Sequence, residues 1–178
     1  MPSYAICTTP RTGSTFLCRR LRNAGLGNPD EWLHATRPRP WATLAEWRQS
    51  RAKNGIFAIK LFWVHREDEA IVDFEDVLDE EPCWIYLRRK DVHSQALSYL
   101  TAVAREEWDE VRAPYLEFSP AMVSLWEAKL RRRNEDWRAW FRRKKIKPLQ
   151  ITYEDFIAAP DATVESIRSY LVATWPSG

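Results

Sequence analysis

Short apolar runs alternate along the chain with longer segments of helical periodicity. The runs that have the length of buried strands lie at residues 4–8, 55–63, 83–87 and 148–153. Between them, apolar residues recur at spacings of three and four, which is typical of helices that pack against a sheet. Strands that alternate with helices indicate βαβ units. We therefore expect an α/β domain with a mostly parallel central sheet flanked by helices.

Capping residues mark where the predicted helices begin and end. The first helix follows Gly13 and should end at Gly25, because glycine adopts the left-handed C-terminal conformation without strain. The Thr43-x-x-Glu46 capping box predicts a short helix over about 44–52. Further helices are predicted over 70–78, from the N-cap Asp91 to about 103, from Ser119-Pro120 to about 144, and over about 162–173. The core-facing residues expected in the long helix are Met122, Trp126, Leu130, Trp137 and Phe141.

The composition is close to charge balance. The 178 residues include 27 Lys and Arg against 25 Asp and Glu, a formal charge of +2. This argues against a protein that coats nucleic acid, so any polyanion site must be local. The length fits one domain, residues 1–178. There is no apolar run of membrane-spanning length and no secretory pattern at the N-terminus, so we expect a cytoplasmic protein without a membrane partner.

The cysteines and histidines are scattered rather than grouped as metal ligands. The cysteines are Cys7, Cys18 and Cys83, and the histidines are His34, His65 and His93. No pair among them has the spacing of a metal site. We expect reduced thiols in the core and no bound metal.

The turn after the first strand has the features of an anion site. In parallel sheets ligands bind beyond the carboxyl ends of the strands, and a helix N-terminus offers unpaired N–H groups. Gly13 lets the backbone approach a ligand, Thr12, Ser14 and Thr15 add hydroxyl groups, and Arg11 adds a guanidinium fork. The P-loop of ATPases and kinases is absent, because no glycine lies five residues before Gly13 and Ser14 replaces the lysine. A capped helix with Arg11 at the surface is the alternative.

Several segments resemble sulfotransferases that use 3′-phosphoadenosine-5′-phosphosulfate (PAPS). Residues 6–18 resemble the 5′-phosphosulfate loop of the bacterial trehalose 2-sulfotransferase-like family, and residues 86–99 are similar to its 3′-phosphate segment. Further similar segments follow the family's order at 25–32, 55–63, 136–141 and 151–155. The resemblance implies a three-layer, P-loop-like fold. It also implies transfer of a sulfuryl group from PAPS to a hydroxyl of a small molecule, and within this family a sugar is the expected acceptor. It also favours a homodimer.

The resemblance assigns roles to individual residues. It places the 5′-phosphosulfate on the turn Arg11, Thr12, Gly13, Ser14 and Thr15, the 3′-phosphate on Arg89 and Ser98, and the general base at Glu31. Arg89 and Ser98 can face one anion only if the helix carrying Ser98 packs back alongside the strand end. A solvated charge run is the alternative for residues 88–90.

Sulfuryl transfer requires in-line positioning, cations on the non-bridging oxygens and a base for the incoming hydroxyl. Lys60 stands in an apolar strand, where an unpaired ammonium is costly, so we assign it to the sulfuryl group or the leaving phosphate. An outward edge-strand lysine is the alternative. The helix over 14–24 carries the chain about 16 Å away from the Arg11 turn. The six residues 25–30 can span about 20 Å when extended, so Glu31 can return to that turn. His65, just after the Lys60 strand, is the alternative base.

The chain departs from the family by being shorter, both after Trp63 and at its C-terminus, so we expect a shortened sulfotransferase domain. Trp32, Trp41 and Trp63 are expected to stack on a sugar face. Two rival functions remain open: a catalytically weak nucleotide-binding protein, and a module that binds RNA or an acidic partner through the basic runs at 131–133 and 142–145.

Overall fold

A parallel sheet forms the centre of the fold. The computed structural model describes residues 1–33, 43–66, 77–78, 82–108 and 114–175. The strands are β1 Ser3–Thr8, β2 Phe57–Phe62, β3 Cys83–Arg88 and β4 Leu149–Thr152, in the order β2-β1-β3-β4. Every pairing in this sheet is parallel, which confirms the predicted α/β class. The carboxyl ends of the strands therefore meet at one edge.

The helices observed in the described ranges are α1 Ser14–Asn23, α2 Leu44–Arg51, α3 Val92–Arg105, α4 Pro120–Lys144, α5 Tyr153–Ala158 and α6 Pro160–Thr174. A 3₁₀ turn, Trp63–Arg66, follows β2. The 3₁₀ turn and α5 were not predicted, because each is too short to show helical periodicity. Thr152 begins α5 by accepting a hydrogen bond from Asp155 N. The helix predicted over 70–78 lies outside the described residues except at 77–78.

The side chains of the sheet alternate between two cores, which gives the fold three layers. Ala5, Ile59 and Tyr86 face one core with Trp137 and Trp140 of α4. The alternate residues of the same strands, such as Ile6, Ala58 and Ile85, face a second core, which is completed by α1 and α6. Both cores are apolar and buried, so the parallel strands are covered on both faces as this architecture requires.

The prediction that Met122 faces the core was wrong, since Met122 is 46% exposed and Val123 is 6% exposed. The reason is that the first half of α4 packs on α3 rather than on the sheet, and this turns a neighbouring face inward. Val123 and Leu130 contact Val92, Ala96 and Leu100 there.

The cysteines are free and buried, as predicted. Burial raises the pKa of Cys18 to about 12 and that of Cys83 to about 11, so neither forms a thiolate near neutral pH. In the part of the chain that the structure describes, no group of three or more His, Cys, Asp or Glu side chains could hold a metal ion. None of the helices described above is long and apolar enough to cross a membrane.

Candidate active site

The turn between β1 and α1 bends through two residues in the left-handed region, Arg11 at φ 64° and Gly13 at φ 76°. The buried Thr12 stabilises this bend, because its hydroxyl lies 2.6 Å from Thr8 Oγ1 and donates to Thr9 O at 3.1 Å. Thr12 therefore supports the turn with its side chain. Among the described residues, no side chain caps the N-terminus of α1. Its first N–H groups are thus left available for an anion.

The ring of Tyr153 closes one side of this turn. A Cβ atom on Gly13 would lie 2.7 Å from Tyr153 Cδ2, so the space requires glycine, and the positive φ also favours it. The other predicted residues of the turn differ in exposure, Ser14 being buried and Thr15 exposed.

Helix α3 packs back over the turn, as the pairing of Arg89 with Ser98 required. Gln95 Nε2 donates to Thr9 Oγ1 at 3.0 Å. Arg11 Nε donates to Ser98 Oγ at 3.1 Å, and Arg89 Nη1 donates to Arg11 O at 3.4 Å. The two predicted phosphate segments are therefore adjacent, with two guanidinium groups beyond the ends of β1 and β3.

The Arg89 guanidinium stacks on the ring of Tyr153. Its guanidinium carbon lies 4.5 Å from the centroid of the Tyr153 ring, which also contacts Gly13. Arg89 Nε is buried and has no hydrogen-bond partner among the described residues. A buried charged donor without a partner is costly, which favours a ligand oxygen at this position.

The chain returns from α1 to the sheet and places Glu31 beside β2. Asp30 forms a parallel bridge with Ile59, and Lys60 N donates to Asp30 O at 2.8 Å. The indole N–H of Trp32 donates to Ala58 O at 3.0 Å. With both neighbours fixed, the Glu31 carboxylate has little freedom. The chain therefore returns from α1 to the sheet edge through the short parallel pairing of Asp30 with Ile59.

Glu31, Lys60 and His65 form one cluster at the end of β2. Glu31 Oε2 lies 3.4 Å from Lys60 Nζ, and Glu31 Oε1 lies 3.2 Å from His65 Nε2. Lys60 is 6% exposed on an edge strand, which rules out the outward-pointing alternative. An ammonium at this distance stabilises the ionised carboxylate, the form that a base requires.

The hydrogen bonds of His65 fix the position of its proton. Phe62 N donates to His65 Nδ1 at 3.1 Å, so Nδ1 is an acceptor. In the neutral ring the proton is then on Nε2, which donates to Glu31. Both ring nitrogens are used, and His65 keeps no lone pair for an incoming hydroxyl. This geometry favours His65 as a residue that orients Glu31.

The anion turn and the Glu31 cluster follow adjacent strands. Thr8 at the end of β1 is in register with Phe62 at the end of β2, and neighbouring strands lie about 4.8 Å apart. Trp137 joins the two ends, because its N–H donates to Thr8 O at 2.9 Å and its ring packs against Trp63 at 5.1 Å. Anion-binding groups and a held carboxylate thus share one edge of the sheet.

Comparison with known proteins decides which family this arrangement represents. A model of the Stf0 sulphotransferase family matches residues 3–67 and 56–175. The chain belongs to the Stf0 sulphotransferase family. It is 26% identical over 205 residues to a trehalose 2-sulfotransferase of Mycolicibacterium smegmatis, covering 85% of this chain and 77% of that one. It is 27% identical over 204 residues to a trehalose 2-sulfotransferase of Mycobacterium tuberculosis, covering 84% and 76%. The resemblance seen in the sequence is confirmed.

Among the tryptophans predicted to stack on a sugar in this Stf0 sulphotransferase, Trp63 is half-buried against Trp137, and its stacking on a sugar stays a prediction. Trp32 is 7% exposed and lies in the core beneath the Arg51 guanidinium, so the prediction that it stacks on a sugar was wrong. Trp41 lies outside the described residues. Trp108, to which sequence reasoning gave no role, is 52% exposed and accepts a hydrogen bond from Arg11 Nη1 through its carbonyl oxygen.

Glu154 supports the Arg89 turn, and sequence reasoning gave it no role. Its carboxylate accepts hydrogen bonds from Lys90 N at 3.0 Å and Asp91 N at 3.1 Å. Burial raises the pKa of Glu154, but hydrogen bonds from Asp91 N and Lys90 N outweigh it, and the pKa lies below its usual value of 4.5. The sequence signal that could have pointed to Glu154 is the segment 151–155, which resembles the sulfotransferase family but was given no role.

We expect Glu154→Gln to destabilise the fold by about 1 kcal/mol at pH 7, the usual net contribution of a hydrogen bond. Because the folded pKa is lowered, the stabilisation by the carboxylate is present above pH 4.5 and is lost as the pH falls through the folded value. Urea unfolding of wild type and Glu154→Gln at pH 7 and at pH 3 measures the loss of stability and its dependence on pH. The control is Glu165→Gln, an exposed acid paired with Arg168 on its own helix. A difference from wild type that persists unchanged at pH 3 would contradict this account.

Proposed function

We propose that this chain transfers the sulfuryl group of PAPS to a hydroxyl of a small carbohydrate. The observation that carries the proposal is the meeting of Arg11, Arg89 and Ser98 at the sheet edge that also holds the Glu31 carboxylate. A sulfuryl donor with two separate anionic groups and a base for a hydroxyl are what this reaction needs. Membership of the Stf0 sulphotransferase family supports the same reaction.

The two anion segments fit the two charged ends of PAPS. The N–H groups at the start of α1, with Arg11, Ser14 and Thr15, would bind the 5′-phosphosulfate. Arg89 would bind the 3′-phosphate through its fork and its buried Nε, and Ser98 would add a hydroxyl. Thr12 and Gly13 would act through the backbone shape of the turn.

The reaction is an in-line displacement at sulfur. The acceptor oxygen forms a bond to sulfur while the bond from sulfur to the 5′-phosphate oxygen breaks, and that oxygen keeps the electron pair. Glu31 takes the proton of the acceptor hydroxyl. The products are a sulfate ester and 3′-phosphoadenosine-5′-phosphate (PAP). Lys60 would balance charge beside Glu31 and the sulfuryl oxygens, and His65 would keep the carboxylate in place.

A carbohydrate is the acceptor class that the relatives favour, since both are named for trehalose. The exposed ring of Trp108, a residue whose backbone carbonyl accepts a hydrogen bond from Arg11, offers an aromatic face of the type that binds a sugar ring or a nucleobase. We assign no individual sugar.

We expect PAP to stabilise the fold and ADP, which lacks the 3′-phosphate, to stabilise it much less. At a concentration of one hundred times its dissociation constant, PAP should add about 2.7 kcal/mol. Thermal unfolding with PAP, ADP and ATP at equal concentrations measures this. Equal shifts from PAP and ADP would remove Arg89 and Ser98 from the donor site, and no shift from PAP would contradict the proposed donor.

A further inference from the structure

A cationic depression lies at the end of β3, and its residues Arg88 and Arg138 take no part in the proposed reaction. Its volume is about 210 Å³. One side is lined by Arg88, Arg89, Lys90 and Val92, and the other by Arg131, Asn134 and Arg138 of α4. Glu135 is the one acid in the lining. The basic run at 131–133, which the sequence singled out, therefore contributes to a concave surface.

Strand alternation separates this depression from the donor site. Trp84 and Tyr86 point toward α4, so Arg88 does as well. Arg89 is the next residue along the chain, and its side chain points the other way. Its guanidinium stacks on Tyr153 and donates a hydrogen bond to Arg11 O. The Arg88 and Arg89 side chains thus serve opposite faces of the sheet.

Lys90 of the lining pairs with Asp155, whose carboxylate also interacts with Arg88 at longer range. Within the described residues, neither Arg88 nor Arg138 forms an ion pair with a carboxylate within 4 Å, and Glu135 forms none either. Arg131 lies 3.6 Å from Glu127, which His93 Nδ1 also contacts at 2.7 Å. Arginines gathered around one concavity repel one another unless an anion joins them.

The buried Tyr86 anchors the floor of the depression. Its hydroxyl donates to Asn134 Oδ1 at 2.8 Å, and Asn134 Nδ2 donates to Leu130 O at 2.9 Å. Burial raises the pKa of Tyr86 to about 12, while the nearby Arg138 and Arg88 lower it. These bonds hold Asn134 in place beneath the depression, and the groups that we assign to a ligand are the Arg88 and Arg138 guanidinium forks.

We propose that this depression binds a phosphate or sulfate group outside the donor site, as a free anion or as a monoester on a small molecule. Guanidinium forks match the paired oxygens of such groups. The proposal rests on Arg88 and Arg138 and does not depend on the proposed function.

The test is isothermal titration with sodium sulfate and with sodium phosphate, at constant ionic strength and with saturating PAP to occupy the donor site. We expect one binding event in wild type that is weakened at least tenfold in R88Q/R138Q and unchanged in R132Q, an exposed residue of the same helix outside the lining. Arg138 is exposed, so R138Q alone tests the site without risk to folding. Equal affinity in wild type, R138Q and R88Q/R138Q, or no binding in wild type, would overturn the proposal.

Titration with glucose 6-phosphate distinguishes the two sources of the anion. Binding tighter than that of inorganic phosphate and lost in R88Q/R138Q supports a monoester ligand, and equal affinity supports the free anion. If PAP fails to bind, the proposed donor fails, while the comparison of R138Q with R132Q still decides this site.

Discussion

Replacing Glu31 by glutamine should lower kcat about 10²- to 10⁴-fold, the usual size of a general-base contribution. Glutamine keeps the shape and can still contact Lys60 and His65, but it cannot take a proton. The affinity for PAP should stay near the wild-type value, because Glu31 lies in the β2 cluster rather than in the Arg11 turn. Steady-state kinetics with PAPS and an acceptor, together with titration of PAP, measure the two effects separately.

His65→Asn is the matched comparison for Glu31→Gln. Because His65 Nδ1 accepts from Phe62 N and Nε2 faces Glu31, we expect a much smaller loss of kcat than for the glutamine variant. The pH profile of kcat should keep its form, since in the proposed mechanism His65 positions the base and Glu31 takes the proton. A larger loss in His65→Asn than in Glu31→Gln would move the base to His65.

Arg11→Ala and Arg89→Ala should each weaken PAP binding by about 1.5–3 kcal/mol, the contribution of a hydrogen bond to a charged group. This corresponds to roughly 10- to 150-fold in the dissociation constant. The two variants should differ in selectivity. Arg89→Ala should bring the affinity for PAP close to that for ADP, because the 3′-phosphate loses its main cation. Arg11→Ala should weaken both nucleotides alike.

Calorimetric titration of PAP and ADP into both variants measures this selectivity, with Arg132→Ala as the surface control. Arg89→Lys adds a second comparison, since lysine keeps the charge but loses the fork and the stacking on Tyr153. If both alanine variants bind PAP as wild type does, Arg11 and Arg89 have no part in the donor site.

Much of the fold could be predicted because its signals are local. Each strand is a short apolar run, and Thr43, Asp91 and Ser119 all cap the helices that they were expected to cap. Met122 was assigned to the wrong face, because periodicity fixes the spacing of a helix stripe but not the partner against which it packs. Helix α3 is that partner, and its position depends on tertiary packing that the sequence pattern of α4 does not contain.

The candidate site was predictable where its residues lie in one segment. The Arg11–Thr15 turn is such a segment, and its glycine and helix start are visible in the sequence. The Glu31 cluster depends instead on the Asp30–Ile59 bridge, which no periodicity indicates. The support that Tyr153 and Glu154 give to the Arg89 turn likewise depends on β3 and β4 being neighbours. Contacts between distant segments therefore had to come from the structure or from the family resemblance.

The most direct test of the central claim is transfer of ³⁵S from labelled PAPS to a panel of carbohydrates that includes trehalose. Wild type should transfer label to a carbohydrate hydroxyl and release one PAP for each sulfate ester formed, and Glu31→Gln should bind PAP but leave the label on the donor. Transfer by Glu31→Gln at the wild-type rate, or binding of PAPS without transfer to any carbohydrate, would contradict the account.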